Sequence, residues 1–202
     1  LDIFATSVIG PCFFKPSTVD DLVEYCRIIA AAAPSKGFYY YHSGMSGLSL
    51  DMEQFLIAAA DKIPNLSGMK FNSADMYEFQ RCLRVNNRQF DIPFGVDEFL
   101  PAGLACGAVG AVGSTYNYAA PLYHRLIESF NRGDHQDVAA CMDKVIAIIR
   151  ILVQYGGVAA GKLAMQLHDI DVGDPRRPLR PMTSEQKRVA LEAFRAADFI
   201  KS

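Results

Sequence analysis

Short apolar runs along the chain alternate with longer segments whose apolar residues recur at helical spacing. The short runs predict β-strands over residues 3–9, 38–41, 66–71, 90–94 and 107–113. The longer segments predict helices over residues 17–33, 49–62, 72–85, 97 onward, 121–131, 135–155, 158–168 and 184–199. Ser17 is the expected cap of the first helix, and Asn72 or Ser73 that of the third. This alternation predicts parallel strands joined by right-handed helical crossovers.

Two α/β architectures are compatible with such a pattern. A doubly wound open sheet can be built from the five predicted units, whereas a (β/α)8 barrel needs eight units and about 250 residues. The chain has 202 residues. Periodicity alone therefore favours the open sheet.

Composition and charge exclude several classes of protein. Half of the residues are hydrophobic and 21% are charged, so the chain can bury enough apolar surface to fold, which excludes disorder. The net charge is −2 with mixed signs throughout, so no basic face for nucleic acid or an anionic membrane is expected. The uncharged stretch 99–123 is interrupted by Pro101 and several glycines, which argues against a membrane span.

Cysteines and histidines show no metal-binding pattern. The five cysteines are widely spread and odd in number, which favours a reducing, cytoplasmic compartment over a disulfide framework. The four histidines lie on different segments with no pair at ligand spacing, so we expect no metal site. His42 alone, beside Tyr41, is placed to line a pocket.

Lys70 and Tyr41 are the first candidates for chemistry, since each lies near the end of a predicted strand. A desolvated lysine can attack a carbonyl and form a Schiff base, although a lysine on an edge strand can also serve only to keep it soluble. The Tyr41 phenol can relay a proton, although Tyr39-Tyr-Tyr41 is also typical of a buried aromatic strand.

Two further segments suggest ligand binding. Asp97 and Glu98 can accept hydrogen bonds from sugar hydroxyls, or equally serve as first-turn acids of a helix. Gly107, Gly110 and Gly113 are spaced as GxxGxxG and no acidic ribose partner follows, so a dinucleotide site is rejected.

Four motifs, in this order, together resemble the N-acetylneuraminate lyase family. They are Tyr39-Tyr-Tyr-His42 with Ser46-Gly47, Ser67-Gly-Met-Lys70, Phe94-Gly-Val-Asp-Glu98, and Gly110-Ala-Val-Gly-Ser-Thr-Tyr-Asn117. The wider superfamily of pyruvate-dependent class I aldolases, which includes dihydrodipicolinate synthase, shares the Tyr and Lys motifs and a tail like residues 173–181. The Gly-Val-Asp-Glu and Gly-Ser-Thr-Tyr-Asn segments favour the sialic acid branch.

The resemblance reverses the choice of fold, because that family is a (β/α)8 barrel with extra C-terminal helices. It implies strands four to eight of a TIM barrel over residues 1–131, and a helical extension over residues 132–202. The N-terminal third, with the loop that holds the pyruvate carboxylate, is then expected to be missing. Five strands cannot close an eight-stranded barrel, so we expect the chain alone to be inactive.

The resemblance also implies roles for single residues. Lys70 is similar to the Schiff-base lysine and Tyr41 to the tyrosine that assists proton transfer. Substrate binding is implied for Asn72, Gly95, Asp97, Glu98, Gly113 and Ser114. The implied reaction is reversible cleavage of N-acetylneuraminate to N-acetylmannosamine and pyruvate, with no metal or cofactor, in a cytoplasmic homotetramer.

The chain departs from the family pattern at several positions. Ser43-Gly44 follows His42 where the family has Ile-Pro or a similar pair, Asn72 replaces a small hydroxyl residue, and Phe13 stands where some relatives carry tyrosine. Two alternatives stay open: another pyruvate aldolase of the dihydrodipicolinate synthase type, and a non-catalytic truncated isoform that associates with full-length subunits.

Overall fold

The computed structural model describes residues 2–200 and divides into two compact units. One unit ends at Val112 and the other begins at Gly113. The assignment of residues 113–131 to the barrel stays a prediction.

The first unit is built from parallel strands and the helices that connect them. Its elements are β1 (Ala5–Ile9), α1 (Val19–Ala30), β2 (Gly37–Ser43), α2 (Met52–Lys62), β3 (Leu66–Asn72), α3 (Met76–Arg84) and α4 (Leu100–Ala105). The strand order is β1-β2-β3, and both pairs are parallel. The predicted βαβ alternation is confirmed for these strands.

The predicted fourth strand is present as an extended segment that Pro93 interrupts. Asp91 N donates to Ser67 O at 3.1 Å, Met69 N to Asp91 O at 3.1 Å, and Gly95 N to Phe71 O at 2.7 Å. Pro93 has no N–H to donate between these bonds, so the ladder is reduced to isolated bridges. The predicted fifth strand pairs with this segment only through the bridge between Phe94 and Ala111.

The core lies on one face of the sheet, between the strands and helices α1, α2 and α3. Alternate residues of β2 and β3 point into it, and Phe38, Tyr40, Met69 and Phe71 are fully buried there. Each such large side chain contributes about 1.5–3 kcal/mol through burial. Because side chains alternate along a strand, the intervening residues point to the other face, here called the open face.

The helix caps differ from those predicted. Thr18, not Ser17, caps α1, in a capping box in which Thr18 N and Asp21 N bond to each other's side chains at 3.0 and 3.1 Å. Asp75, not Asn72 or Ser73, caps α3 by accepting from Glu78 N at 2.9 Å. Both helices start later than predicted, because an aspartate or threonine nearer the helix satisfies its first N–H groups.

The second unit is helical. Its helices are α5 (Tyr116–Arg132), α6 (His135–Tyr155), α7 (Gly157–Ala164) and α8 (Ser184–Ala196). Helix α5 begins five residues before the predicted start at Pro121. The helix is kinked at Ala119, where φ is −125°, so Pro121 lies in the first turn after the kink and its missing N–H is tolerated. Over residues 2–200, no helix is long and apolar enough to cross a membrane.

Candidate active site

Lys70 and Tyr41 are partners in the β2–β3 register and both lie on the open face. The Lys70 Nζ atom lies 4.2 Å from the centroid of the Tyr41 ring. At this distance the ring face attracts the ammonium and orients the long lysine side chain. Within residues 2–200, Lys70 Nζ has no hydrogen bond or ion pair that competes with this contact.

Asn72 lies two residues beyond Lys70 on the same strand and connects β3 to β2. Its Nδ2 is 3.4 Å from Tyr41 Oη and 3.3 Å from Ser43 Oγ, and can donate to both oxygens. Ser43 is its register partner. Asn72 therefore holds the hydroxyl end of Tyr41 on the same side of the sheet as the lysine.

Gly95 lets the next segment pass close beside the lysine. A Cβ at this position would lie 2.9 Å from Lys70 Cε, from Asn72 Cβ and from Phe71 O. Real Cβ atoms essentially never approach heavy atoms this closely. Gly95 is thus required by packing around Lys70, whatever it does for a ligand.

A cavity of 390 Å³ opens in front of this group. Its polar lining comes from Lys70 and Tyr41 together with Thr6, Ser7, Tyr39 and Asp91. Apolar walls are supplied by Phe4, Ala5, Pro93 and Val112. The volume is sufficient for a small organic substrate.

Tyr39 and Asp91 are functional candidates that the sequence analysis missed. Tyr39 Oη donates to Asp91 Oδ2 at 2.9 Å on the open face. Burial, followed by the hydrogen bond to Asp91, raises the pKa of Tyr39 to about 12. Strand alternation could have placed Tyr39 beside Tyr41, whereas nothing in the sequence marks Asp91.

Asp97 and Glu98 follow Gly95 but differ in exposure. Asp97 is buried with 6% of its surface accessible, and Glu98 is exposed. They open a 3-10 turn, Asp97–Phe99, that leads into α4. The helix expected to begin at Asp97 therefore begins there as a 3-10 turn and becomes α-helical from Leu100. Neither residue is among those lining the cavity in front of Lys70, and their substrate-binding roles stay predictions.

Gly113 and Ser114 belong to the second unit. Ser114 is exposed, and its carbonyl oxygen accepts from Asn117 Nδ2 at 2.9 Å at the start of α5. Ser114 also lines a cavity of 390 Å³ within that unit, with Tyr118 and Lys162 among its other lining residues. The substrate-binding roles of Gly113 and Ser114 stay predictions.

His42 does not share a pocket with Tyr41, because adjacent residues of β2 point to opposite faces. It is buried on the helix side, with its ring centroid 5.0 Å from that of Phe71 and its Nε2 3.8 Å from Glu78 Oε2. Burial lowers the pKa of His42 and raises that of Glu78, so both groups favour their neutral forms. His42 lines a separate cavity of 590 Å³ with Asp51, Asp75 and Glu78.

Among the described residues, no group of three His, Cys, Asp or Glu side chains has the arrangement of a metal site.

Comparison with known proteins identifies the fold. The Dihydrodipicolinate synthetase family matches residues 3–197. N-acetylneuraminate lyases of Mus musculus and Homo sapiens are 38% and 37% identical over 97% and 96% of this chain, which spans 62% of each relative. The structure of the Proteus mirabilis N-acetylneuraminate lyase is 80% identical with a TM-score of 0.97, covering 98% of this chain and 68% of that one.

These matches confirm the (β/α)8 barrel, here strands four to eight with their helices, and show that the open sheet favoured by periodicity is wrong. Periodicity cannot distinguish them, because both folds consist of the same βα units. The chain spans about three fifths of the length of its curated relatives. From the match over residues 3–197, we conclude that this chain belongs to the dihydrodipicolinate synthetase family.

Proposed function

We propose that this chain carries the reacting groups of a class I aldolase that reversibly cleaves N-acetylneuraminate to N-acetylmannosamine and pyruvate. The observation that supports it most strongly is the position of the Lys70 amine over the Tyr41 ring in the 390 Å³ cavity. A lysine nucleophile and a phenol that moves a proton are the two groups such a reaction needs. The relatives that match most of the chain are named N-acetylneuraminate lyase.

In the proposed reaction the neutral Lys70 amine adds to the C2 ketone of the open-chain sugar acid. The C2 oxygen leaves as water, and the protonated imine that remains attracts the electron pair of the breaking C3–C4 bond. Tyr41 Oη takes the proton from the C4 hydroxyl while its own proton passes to the substrate carboxylate, and C4 becomes the aldehyde of N-acetylmannosamine. The enamine left on Lys70 is protonated at C3 and hydrolysed to pyruvate, which restores the free amine.

Substrate binding falls to residues around and beyond Gly95 in this proposal. Asn72 and Gly95 surround the lysine, and Asp97 and Glu98 follow in the next turn. Buried Asp97 is suited to accept hydrogen bonds from the polyhydroxy chain. Substrate binding by Gly113 and Ser114 is also proposed, on the family resemblance alone.

We also propose a cytoplasmic homotetramer, in line with the family resemblance. All five cysteines are free thiols, which supports a reducing compartment. Phe13 and Phe14 are 83% and 85% exposed, and their rings contact edge to face with centroids 4.8 Å apart. Exposed aromatic pairs of this kind support burial against another subunit.

Product analysis tests the substrate. The chain is joined to the N-terminal third of the 80% identical Proteus mirabilis lyase, and given either N-acetylneuraminate or pyruvate with aspartate semialdehyde. The proposal predicts pyruvate and N-acetylmannosamine from the first and no condensation product from the second. Condensation with aspartate semialdehyde alone would instead identify a dihydrodipicolinate synthase activity. Absence of a reaction with either set of substrates would indicate a non-catalytic isoform.

A further inference from the structure

Tyr41 and Lys70 lie side by side on the open face, and a second row of residues crosses the same face two residues earlier on each strand. The register pairs Ser7 with Tyr39 and Tyr39 with Gly68, and a bridge joins Gly68 to Asp91. This row, here called the floor row, comprises Ser7, Tyr39, Gly68 and Asp91. Its three side chains line the same cavity as Lys70.

The Tyr39–Asp91 hydrogen bond passes over β3, the strand that separates the two residues. Tyr39 Oη donates to Asp91 Oδ2 at 2.9 Å. A Cβ on Gly68 would lie 1.7 Å from Asp91 O and 3.0 Å from Tyr39 Cε1. The absence of a side chain at Gly68 is therefore what lets the tyrosine and the aspartate approach each other.

Asp91 lies within reach of Lys70 as well. It is bridged to Gly68, two residues before Lys70 on β3. Two residues along a strand span about 6.6 Å and neighbouring strands lie about 4.8 Å apart, which a lysine and an aspartate side chain together can bridge. In the structure the Asp91 carboxylate bonds to Tyr39 instead, and the lysine lies over Tyr41.

We propose that Tyr39 is a positioning residue for Lys70: its hydroxyl holds the Asp91 carboxylate in the floor row and keeps it from pairing with the lysine amine. This inference rests on the proposed Schiff-base role of Lys70. A carboxylate paired with Lys70 stabilises the ammonium form, and an ammonium cannot attack a ketone. Tyr39 therefore keeps the nucleophile available.

Few ionisable side chains line the cavity around Lys70, so few groups besides Asp91 could pair with its amine. The titratable residues lining the cavity are Tyr39, Tyr41, Lys70 and Asp91, and its remaining lining residues have no ionisable side chain. Because the pKa of Tyr39 is raised to about 12, its hydroxyl stays a donor throughout the range in which lysine titrates. Asp91 is thus the carboxylate among these lining residues that is able to pair with Lys70.

Competitive acetylation of the chain joined to the N-terminal third of the Proteus mirabilis lyase tests the inference. Acetic anhydride reacts with neutral amines, so the extent of Lys70 labelling against pH, relative to Lys62, follows the free amine. We expect Tyr39→Phe to move the Lys70 curve upward by about 0.5–1 pH unit, which is about 3–10-fold less labelling at a fixed lower pH. Asp91→Asn and the double variant should both keep the wild-type curve, since neither has the carboxylate.

Two results would overturn the inference independently. An unchanged curve in Tyr39→Phe would show that the hydroxyl does not restrain Asp91. A downward shift in Asp91→Asn alone would show that the carboxylate already pairs with Lys70 in the wild type, and this result is decisive even if Tyr39→Phe does not fold. Acetylation needs no pyruvate, so failure of the aldolase proposal is seen separately, as absence of a pyruvate adduct on wild-type Lys70.

Discussion

The Lys70 amine lies 4.2 Å from the centre of the Tyr41 ring because the two residues are paired in the register of adjacent parallel strands. Both side chains are therefore placed by backbone hydrogen bonds of the sheet and not by a loop. Residues held on strands keep their geometry more closely than residues on loops. The proposed nucleophile and the proposed proton acceptor thus form one rigid pair.

Replacement of Gly95 by alanine should disturb this pair. The added Cβ would meet Lys70 Cε, Asn72 Cβ and Phe71 O at 2.9 Å, so the strand or the lysine must move. We expect a loss of about 1–3 kcal/mol in the free energy of unfolding and weaker labelling of Lys70 by pyruvate. Urea unfolding and borohydride trapping measure the two effects.

Gly110→Ala is the matched control for Gly95→Ala. A Cβ at Gly110 meets no atom within 4 Å, so this variant should retain both stability and trapping. Equal losses in the two variants would mean that backbone freedom, and not packing beside Lys70, explains the need for glycine.

Replacement of Asp97 or Ser114 by alanine should separate sugar binding from pyruvate binding. If these residues hold the polyhydroxy chain, each lost hydrogen bond costs about 1–3 kcal/mol, or about 5–150-fold in cleavage of N-acetylneuraminate. Pyruvate trapping should change little. Asp61→Ala, on the exposed side of α2, should affect neither. Equal losses of cleavage and of trapping would indicate a structural role.

The buried His42–Glu78 pair should make stability depend on pH. Burial lowers the pKa of His42 below 6.5, so its contribution to stability is present above pH 6.5 and is lost as pH falls through the lowered value. Glu78 acts in the opposite sense, because burial raises its pKa above 4.5. Its contribution to stability is fully present below pH 4.5 and is lost as pH rises through the raised value. As pH falls from about 7 to 5.5, the wild type should lose stability through His42 and gain some through Glu78. We therefore expect His42→Gln to lose less stability than the wild type over this range, and Glu78→Gln to lose more.

Urea unfolding midpoints at these two pH values measure the effect. Identical pH dependence in the wild type and both variants would show that neither group titrates differently on folding.

The 202-residue chain by itself should lack lyase activity and elute as an aggregate or oligomer. Its sheet has β1 at one edge and the segment through Ala111 at the other, and open parallel edges pair with other chains. The family resemblance implies that a loop outside these 202 residues holds the pyruvate carboxylate, and misplacement of pyruvate without it would cost about 100-fold in rate. Gel filtration and a pyruvate-release assay check both points. A soluble, active monomer would contradict them.

The strands that carry Lys70 and Tyr41 could be predicted because their apolar runs end at turns. Their pairing could not, since register depends on how β2 and β3 are aligned in space. The interruption at Pro93 was missed because an apolar run around a proline still resembles a strand. The caps were placed too early because several Ser, Thr, Asn and Asp residues precede each helix.

The choice between the barrel and the open sheet could not be made from periodicity, and it followed only from four ordered motifs. Tyr39 carries no prediction of its own, because a row of three tyrosines is also typical of a buried aromatic strand. Alternation puts Tyr40 in the core and Tyr39 in the cavity. The hydrogen bond between Tyr39 and Asp91 depends on β2, β3 and the segment that contains Asp91 lying side by side, with no side chain at Gly68 between them. The sequence does not specify that arrangement.

Reductive trapping with pyruvate tests the central assignment most directly. The chain joined to the N-terminal third of the Proteus mirabilis lyase is treated with pyruvate and borohydride, digested with trypsin, and analysed by mass spectrometry. Modification of Lys70 blocks cleavage there, so we predict a single peptide spanning residues 63–81 that carries the reduced pyruvate group, and none in Lys70→Ala. An adduct on Lys62 or Lys162 with Lys70 unmodified would contradict the assignment.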